Sequence, residues 1–567
     1  MSLLTNAPVS AWTTCPGCGW MLYHKRVSRN LGVCPECDHH LRMSARDRVE
    51  LLADPGSFDE VHFEARPTDP LTFSDVRDYA GRLADAARGS GESEAVLVGT
   101  VRMGGIEAVL AVMDFDFMAG SMGLEVGRRV SEAAELSLQR RLPLVVVCTS
   151  GGARMQEGVF SLLQMARTAQ AFARLREAGV LSICVLTDPT YGGVSASFAN
   201  LGSVVIAERG AHVGFAGPRV VAQTIRAKLP PGFQTAEFLM QHGLVDRVES
   251  RADLRPVLIR LIDLHAGSGW SRNLTLVGPA PTSLSAPATP PGRDSWETVR
   301  TARDQKRPTT TDYLSWAFDD FVELHGDRAS ADDPAVVGGV ARLRGRAVVV
   351  IGHQKGHNVN ELVAHNFGMP HPEGYRKAIR LMEHAQSFGM PVVTFVDTPG
   401  AHPGPEAEER GQSIAIADAI QTSSRLRVPV VSVITGEGGS GGALALCTSD
   451  RLIVLSNAFL SVISPEGCAA ILWRSAASAP EAARALQLGA RHLFLSGIAT
   501  SVVAEPVGGA QADPVSCADS LREALDAELS ALAGLAVEDL LQQREDRFAQ
   551  LGHGAAHVEG PEDVIHG

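Results

Sequence analysis

The sequence predicts an α/β protein made of two tandem halves of one architecture behind a small cysteine-rich module. Three observations carry this. Apolar, β-branched runs of strand length alternate with longer helical patterns along most of the chain. The two halves echo each other in order: Pro143 and Pro391 are 248 residues apart, Gly192 and Gly441 are 249 apart, and Pro218 and Pro465 are 247 apart. One Gly-rich turn can recur by chance; three landmarks in the same order, keeping register within two residues, indicate a duplication. Finally, Cys15-x-x-Cys18 and Cys34-x-x-Cys37 are separated by fifteen residues, a ribbon spacing.

The N-terminal module comes first. Each CxxC puts two thiolates on one tight knuckle, and two knuckles close a four-sulfur shell around zinc with no open position, so Cys15, Cys18, Cys34 and Cys37 predict one structural Zn²⁺ per chain at residues 12–42. The other five cysteines are scattered, several in strand-like runs. A disulfide framework does not suit the cytoplasmic location expected here. That expectation rests on the absence of an eighteen-residue apolar run and of a basic-then-apolar leader in "MSLLTNAPVSAWTTC". The ribbon carries Lys25, Arg26, Arg29, Arg42 and Arg46 against Glu36 and Asp38. With a net charge of −13 for the whole chain, nucleic acid is not the expected main partner, nor is a membrane, and a ribbon–nucleic-acid contact stays open only as a second activity.

At 567 residues, with 45% hydrophobic and 20% charged residues, the chain is globular and too long for one core. The expected segments are a first half at 43–265, a Pro/Ser/Thr/Ala/Gly-rich linker at 266–294, a second half at 295–545 and a tail at 546–567.

The stretch "GEGGSGGALAL" holds Gly436-x-Gly438-x-x-Gly441, which fits a dinucleotide fingerprint, but two tests fail. Gly441 is followed by Gly442 and Ala443 rather than Lys and Ser/Thr, which removes a Walker loop. The next strand, "RLIVLSN", ends in Ser456 and Asn457 with no ribose-binding acid. Its counterpart "TDPTYGGVSASFA" shares only a glycine pair before a helix. Gly192-Gly193 and Gly441-Gly442 are therefore read as backbone N–H groups at helix starts, suited to a developing oxyanion. Glycine needed only for a tight turn or helix packing is the usual explanation of one such pair; its occurrence at equivalent points of both halves favours function.

At this point the sequence resembles a family. Residues "CPGCGWMLYHKRVSRNLGVCPECDHHLRMSARDR", "SGGARMQEG", "LTDPTYGGVSASFA" and "GFAGPRVVAQTIRAKLPPGFQ" resemble the beta subunit of bacterial acetyl-CoA carboxylase carboxyltransferase. Residues "RPTTTDYLSWAFDDFVELHGDRASADD", "IGHQKG", "DTPGAHPGPEAEERGQS", "GEGGSGGALAL" and "SVISPEGCAAILW" resemble its alpha subunit. The resemblance covers most of residues 12–545 and implies a beta–alpha fusion with a crotonase-like fold in each half. It implies carboxyl transfer from carboxybiotin, held on the biotin carboxyl carrier protein, to acetyl-CoA, giving malonyl-CoA for fatty acid synthesis. Biotin carboxylase is then a further implied partner.

That chemistry calls for two oxyanion holes, one for the thioester enolate and one for the biotin ureido oxygen, each donor worth roughly 3 to 4 kcal/mol in comparable sites. The expected assignment is Gly192-Gly193 to the thioester and Gly441-Gly442 to biotin. Ser150, Gly151, Gly152, Ala153 and Arg154, opposite Thr398, Pro399 and Gly400, are expected to line the substrate channel. Arg154, Arg226 and Lys228 are weaker candidates for CoA phosphates. His353, Lys355 and His357 read as a polar loop beside the site. "HNVNELVAHN" replaces a basic run usual in the family, and His402 stands where Tyr is usual. The family's two beta and two alpha subunits imply a homodimer of the fusion with an active site between a beta-type and an alpha-type half. A propionyl-CoA transferase is the nearest alternative. A hydratase or isomerase of the same fold would need a carboxylate pair and no biotin.

Overall fold

The computed structural model describes residues 12–64, 69–217, 221, 230–266 and 293–551. The chain divides into two compact units, Met1–Gln241 with Val245–Asp263, and His242–Leu244 with Leu264–Gly567. Among the described residues no helix is long and apolar enough to cross a membrane.

The first unit opens with a two-stranded antiparallel ribbon, β1 (Trp12–Thr14) and β2 (Met21–Tyr23). An eight-stranded sheet follows, of β3 (Asp59–Glu60), β4 (Val96–Met103), β5 (Ile106–Met113), β6 (Leu144–Ser150), β7 (Ser182–Tyr191), β8 (Val204–Glu208), β9 (Val213–Gly214) and β10 (Arg247–Glu249). Its spatial order is β10, β8, β7, β6, β5, β4, β3, with β9 beside the end of β7. The β3–β4–β5 pairs are antiparallel and every pair from β5 to β10 is parallel. Strands such as "LVVVCTS" in β6 are buried throughout because a parallel sheet is covered on both faces. Helices Leu124–Arg140 and Val159–Glu177 make the crossovers on either side of β6 and pack on each other.

The second unit repeats this plan. Its sheet holds β11 (Asp320–Glu323), β12 (Val336–Leu343), β13 (Arg346–His353), β14 (Val392–Thr398), β15 (Val430–Gly439), β16 (Arg451–Leu455), β17 (Phe459–Ser461) and β18 (Ser501–Val503). The order β11, β12, β13, β14, β15, β16, β18, with β17 beside β15, has the same pairing senses as the first sheet. Even the irregularity is repeated: the β6–β7 ladder breaks step between Cys148 and Ser150, and the β14–β15 ladder between Val396 and Thr398. The duplication read from three landmarks is thus a duplication of topology and register.

Two sequence expectations shift. The ladders set Ser150 against Thr190 and Thr398 against Gly438, so the register offset at the glycine turns is 248. Gly192 therefore corresponds to Ser440 rather than Gly441, and Gly193 to Gly441. The backbone agrees, since Gly192 and Ser440 both have left-handed φ, +60° and +55°. The helix Val537–Ala549 also runs past the expected tail boundary at 545. Pro218, Arg226, Lys228, residues 267–292 of the expected linker and residues 552–567 of the expected tail lie outside the described residues.

The cysteine module is not a separate unit but is anchored to the first sheet. Arg251, buried at the start of the helix Arg251–His265, donates to the carbonyls of Leu31, Gly32 and Leu41, all at 3.0 Å, and to both oxygens of Glu208 at 2.9 and 2.8 Å. Arg48 reaches Glu208 at 2.6 Å. Burial alone would raise the Glu208 carboxyl, but Arg48 and Arg251 hold it well below the carboxylate range.

Candidate active site

In the first unit the site is built where β6 and β7 end. Ser150 is fully buried and its hydroxyl accepts the Gly152 N–H at 2.9 Å, which curls the chain into the turn Gly151-Gly152-Ala153. Gly151 N–H donates to the Ala119 carbonyl at 2.8 Å. Met122 N–H donates to Gly152 O and Arg154 N–H to Met122 O, both at 2.9 Å, so the ladder steps over Ala153. Among the described residues the Ala153 N–H has no acceptor.

The second turn follows β7 directly. Gly192 opens the short helix Gly192–Ser195 and donates its N–H to Phe215 O at 3.0 Å. Gly193 is next, and its N–H has no earlier turn of helix to bond to. The turns touch backbone to backbone: a Cβ on Gly192 would lie 2.9 Å from Gly152 Cα, and one on Gly152 would lie 4.0 Å from Gly193 N. Among the described residues, two uncommitted N–H groups, on Ala153 and Gly193, thus come from two adjoining turns.

The second unit makes the same construction. The Thr398 hydroxyl accepts the Gly400 N–H at 3.0 Å and donates to Gly400 O at 2.8 Å. His402 N–H donates to Pro370 O at 3.0 Å, and the Ala401 N–H before it has no acceptor among the described residues. Ser440–Cys447 is helical from the end of β15, so the N–H groups of Gly441 and Gly442 lie in its unbonded first turn. Close approach explains the glycines here: a Cβ on Gly439 would lie 2.1 Å from Pro399 O, and one on Gly442 would lie 2.5 Å from Ala401 N and 2.8 Å from Tyr375 Oη. A Cβ on Gly441 would meet nothing nearer than Ile416 at 3.7 Å.

Several expected channel residues serve the turns instead. Ser150 and Thr398 spend their hydroxyls inside their own loops. Arg154 is no free cation for substrate: its buried guanidinium donates to both oxygens of Glu94 at 3.0 and 2.6 Å, to Tyr79 Oη at 3.2 Å and to Ser121 O at 2.9 Å. Gly151, Ala153, Pro399 and Gly400 retain surface and stay at the mouths of the turns. In the "IGHQKGH" loop, His353 is buried, and burial with Lys355 nearby pushes its imidazole down to about 3, so it is neutral. His357 bonds Asp312 at 2.8 Å. Lys355 lies 2.8 Å from both Asp397 and Glu437. The two carboxylates were missed in the sequence; each stands immediately before a glycine turn, and the basic partner was visible.

The four ribbon cysteines fit a metal. Cys15 and Cys37 sulfurs are 3.6 Å apart, Cys18 and Cys34 sulfurs 3.9 Å apart, and all four lie within 4.8 Å. A tetrahedral zinc with bonds of 2.3 Å sets its sulfurs about 3.8 Å apart. Bound there, zinc would hold the two knuckles together and leave no position for substrate. His371, His402 and Glu406 also come within 4.8 Å of one another. Their rings are already engaged, as Nδ1 of His371 accepts from Arg410 and Nδ1 of His402 from the Gly404 N–H, each at 3.1 Å.

Comparison with known proteins places the chain in a family. The acetyl-CoA carboxylase zinc finger domain matches residues 12–37, the carboxyl transferase domain residues 40–229, and the acetyl co-enzyme A carboxylase carboxyltransferase-like family residues 293–552. A protein of Saccharopolyspora erythraea named as acetyl-coenzyme A carboxylase carboxyl transferase subunits beta/alpha is 53% identical over 98% of both chains. One of the same name from Salinispora arenicola is 54% identical over 95% of this chain and 96% of its own. Among solved structures, transcarboxylase 12S with methylmalonyl-coenzyme A and methylmalonic acid bound shares the crotonase-like fold, with a TM-score of 0.68 and 23% identity over 90% of this chain and 93% of its own. With its zinc ribbon and its two carboxyltransferase halves in one polypeptide, the chain belongs to the family of fused beta/alpha carboxyl transferase subunits of acetyl-CoA carboxylase.

Proposed function

We propose that this carboxyltransferase moves the carboxyl group of carboxybiotin, presented on a biotin carrier protein, to the methyl carbon of acetyl-CoA, with one backbone N–H pair serving each reactant. The observation that carries the reading is the duplication of the pair: Ala153 with Gly193 in the beta-type half, Ala401 with Gly441 in the alpha-type half. Two charges develop in the reaction. Cleavage of the N–CO₂ bond puts negative charge on the biotin ureido oxygen, and removal of a methyl proton puts it on the thioester oxygen. The Ala153–Gly193 pair is assigned to the thioester and the Ala401–Gly441 pair to biotin. Preorganised N–H donors away from bulk water stabilise such charge without reorganising during the step.

The biotin nitrogen released by loss of CO₂ takes the methyl proton, and the enolate carbon then attacks CO₂. No protein base is required. This agrees with the state of the carboxylates beside the alpha-type turns, where Asp397 is ion-paired with Lys355 and Glu437 with both Lys355 and Arg303. A hydratase on the same fold would need such acids free.

The chain is assigned to the cytoplasm and to a homodimer standing for two beta and two alpha subunits, with biotin carboxylase supplying the carboxybiotin. Exposed apolar side chains beside equivalent turns support self-association: Phe215 and Val462, 247 residues apart, are both 73% exposed, and Met155 and Ile414 are also open. The test is carboxyl transfer by the purified chain from carboxybiotin to acetyl-CoA and, separately, to propionyl-CoA. Malonyl-CoA formed in preference supports the reading, and no product from either acyl-CoA with a competent donor overturns it.

A further inference from the structure

We propose that Lys355 is a positioning residue of the alpha-type half, locking together the two turns that carry the Ala401 and Gly441 N–H groups. The inference rests on the reading above, in which that pair serves biotin. Lys355 lies two residues beyond the end of β13, and its Nζ is 2.8 Å from Asp397 Oδ1 and 2.8 Å from Glu437 Oε2. Asp397 stands on β14 four residues before Ala401, and Glu437 on β15 four residues before Gly441. Asp397 Oδ1 also accepts the Glu437 N–H at 2.8 Å. One ammonium and one carboxylate oxygen therefore tie three neighbouring strands just where two of them turn into the site.

The clamp is stiff. Arg303 holds Glu437 from the other side, with Nε at 2.5 Å from Oε1, and reaches Glu466 at 2.7 Å. A Cβ on Gly368 would lie 2.7 Å from Lys355 Cγ, so the lysine stem runs against bare backbone and has no room on that side. Lys355, Asp397, Glu437 and Pro399 also line a cavity of about 330 Å³, giving a loosened clamp space to move into.

The beta-type half lacks this device. The same register puts Phe115, Thr149 and Pro189 in the places of Lys355, Asp397 and Glu437. There the turns are joined by a neutral bond, Thr149 Oγ1 to Pro189 O at 3.3 Å. The fold therefore does not require ions at these positions, and burying them carries a desolvation cost. Charge stabilisation of an oxyanion is not the gain, because Lys355 and Arg303 face three carboxylates, Asp397, Glu437 and Glu466, and the cluster has no positive excess. What the ions add is a fixed distance between the two turns.

The test runs transfer in reverse, from malonyl-CoA to biocytin, with Lys355→Met, Lys355→Gln and Lys355→Arg, after thermal melting shows which variants are folded. A misplacement of about 1 Å at a reacting centre costs on the order of 10²-fold. Lys355→Met and Lys355→Gln are expected to lose kcat on that order with KM for malonyl-CoA unchanged, and Lys355→Arg to recover most of it. Folded neutral variants with kcat within about threefold of the parent, or a KM for malonyl-CoA that rises in step with the loss, overturn the inference. Gly442→Ala separates the two levels. If it impairs the malonyl-CoA side instead of biocytin, the biotin assignment fails; if it impairs biocytin while the Lys355 variants do not, only the clamp fails.

Discussion

Gly192 and Ser440 occupy the same register position 248 residues apart, and both hold a left-handed backbone, at φ +60° and +55°. Glycine adopts this conformation without a steric cost, whereas serine pays roughly 1 kcal/mol. Ser440 is exposed, so its side chain gives little packing in return. Ser440→Gly is expected to keep full transferase activity and raise stability by up to about 1 kcal/mol, read by chemical denaturation. Lost activity would show that the hydroxyl itself acts.

The two glycines after Ser440 should respond in opposite ways. Gly442→Ala drives a methyl to 2.5 Å from the Ala401 nitrogen, displacing one of the proposed donors. Steady-state kinetics should show kcat lower by about 10²- to 10³-fold, as for loss of an oxyanion donor. Gly441→Ala has room for its methyl and keeps its N–H, and should stay within about threefold. Equal losses in the two variants would contradict the assignment of the donors.

The ribbon depends on zinc within and on Arg251 beneath. Cys15→Ser should reduce bound zinc from one per chain to a small fraction and change the fluorescence of Trp12 and Trp20, measured by metal analysis and emission spectra. Arg251→Met removes the cation between Arg48-paired Glu208 and three ribbon carbonyls, and should cost about 3 to 5 kcal/mol. A zinc-replete Cys15→Ser protein would refute the four-sulfur site.

His353 sets a pH dependence of stability. Its pKa falls from 6.5 to about 3 on folding, so the unfolded chain binds the proton more tightly. The stability it contributes is complete above pH 6.5 and is lost as pH falls towards 3, by about 1.4 kcal/mol per pH unit from this group. His353→Leu should flatten that part of the profile in denaturation experiments at pH 7.5, 6 and 5. An unchanged slope would mean that the ring is not held neutral.

The parts of the site legible in the sequence were those with a local signature. Paired CxxC knuckles announced the metal site, and repeated proline and glycine landmarks announced the duplication. The one-residue slip at Gly192 arose because serine hides a left-handed position that glycine advertises. Arg154 misled because a guanidinium looks alike in sequence whether it meets a ligand or is buried against Glu94. The Ala153 and Ala401 donors were invisible as side chains, since their role depends on a backbone ladder that steps over them. Asp397, Glu437 and Lys355 come together only once β13, β14 and β15 are neighbours.

The most direct test of the central claim is transfer from carboxybiotin to acetyl-CoA by the purified chain, compared across the parent, Gly193→Val and Gly442→Val. The account predicts malonyl-CoA from the parent and a loss of about 10²-fold or more in each variant with zinc content intact. Parent protein that forms no malonyl-CoA from a competent carboxybiotin donor, or folded variants as active as the parent, would contradict it.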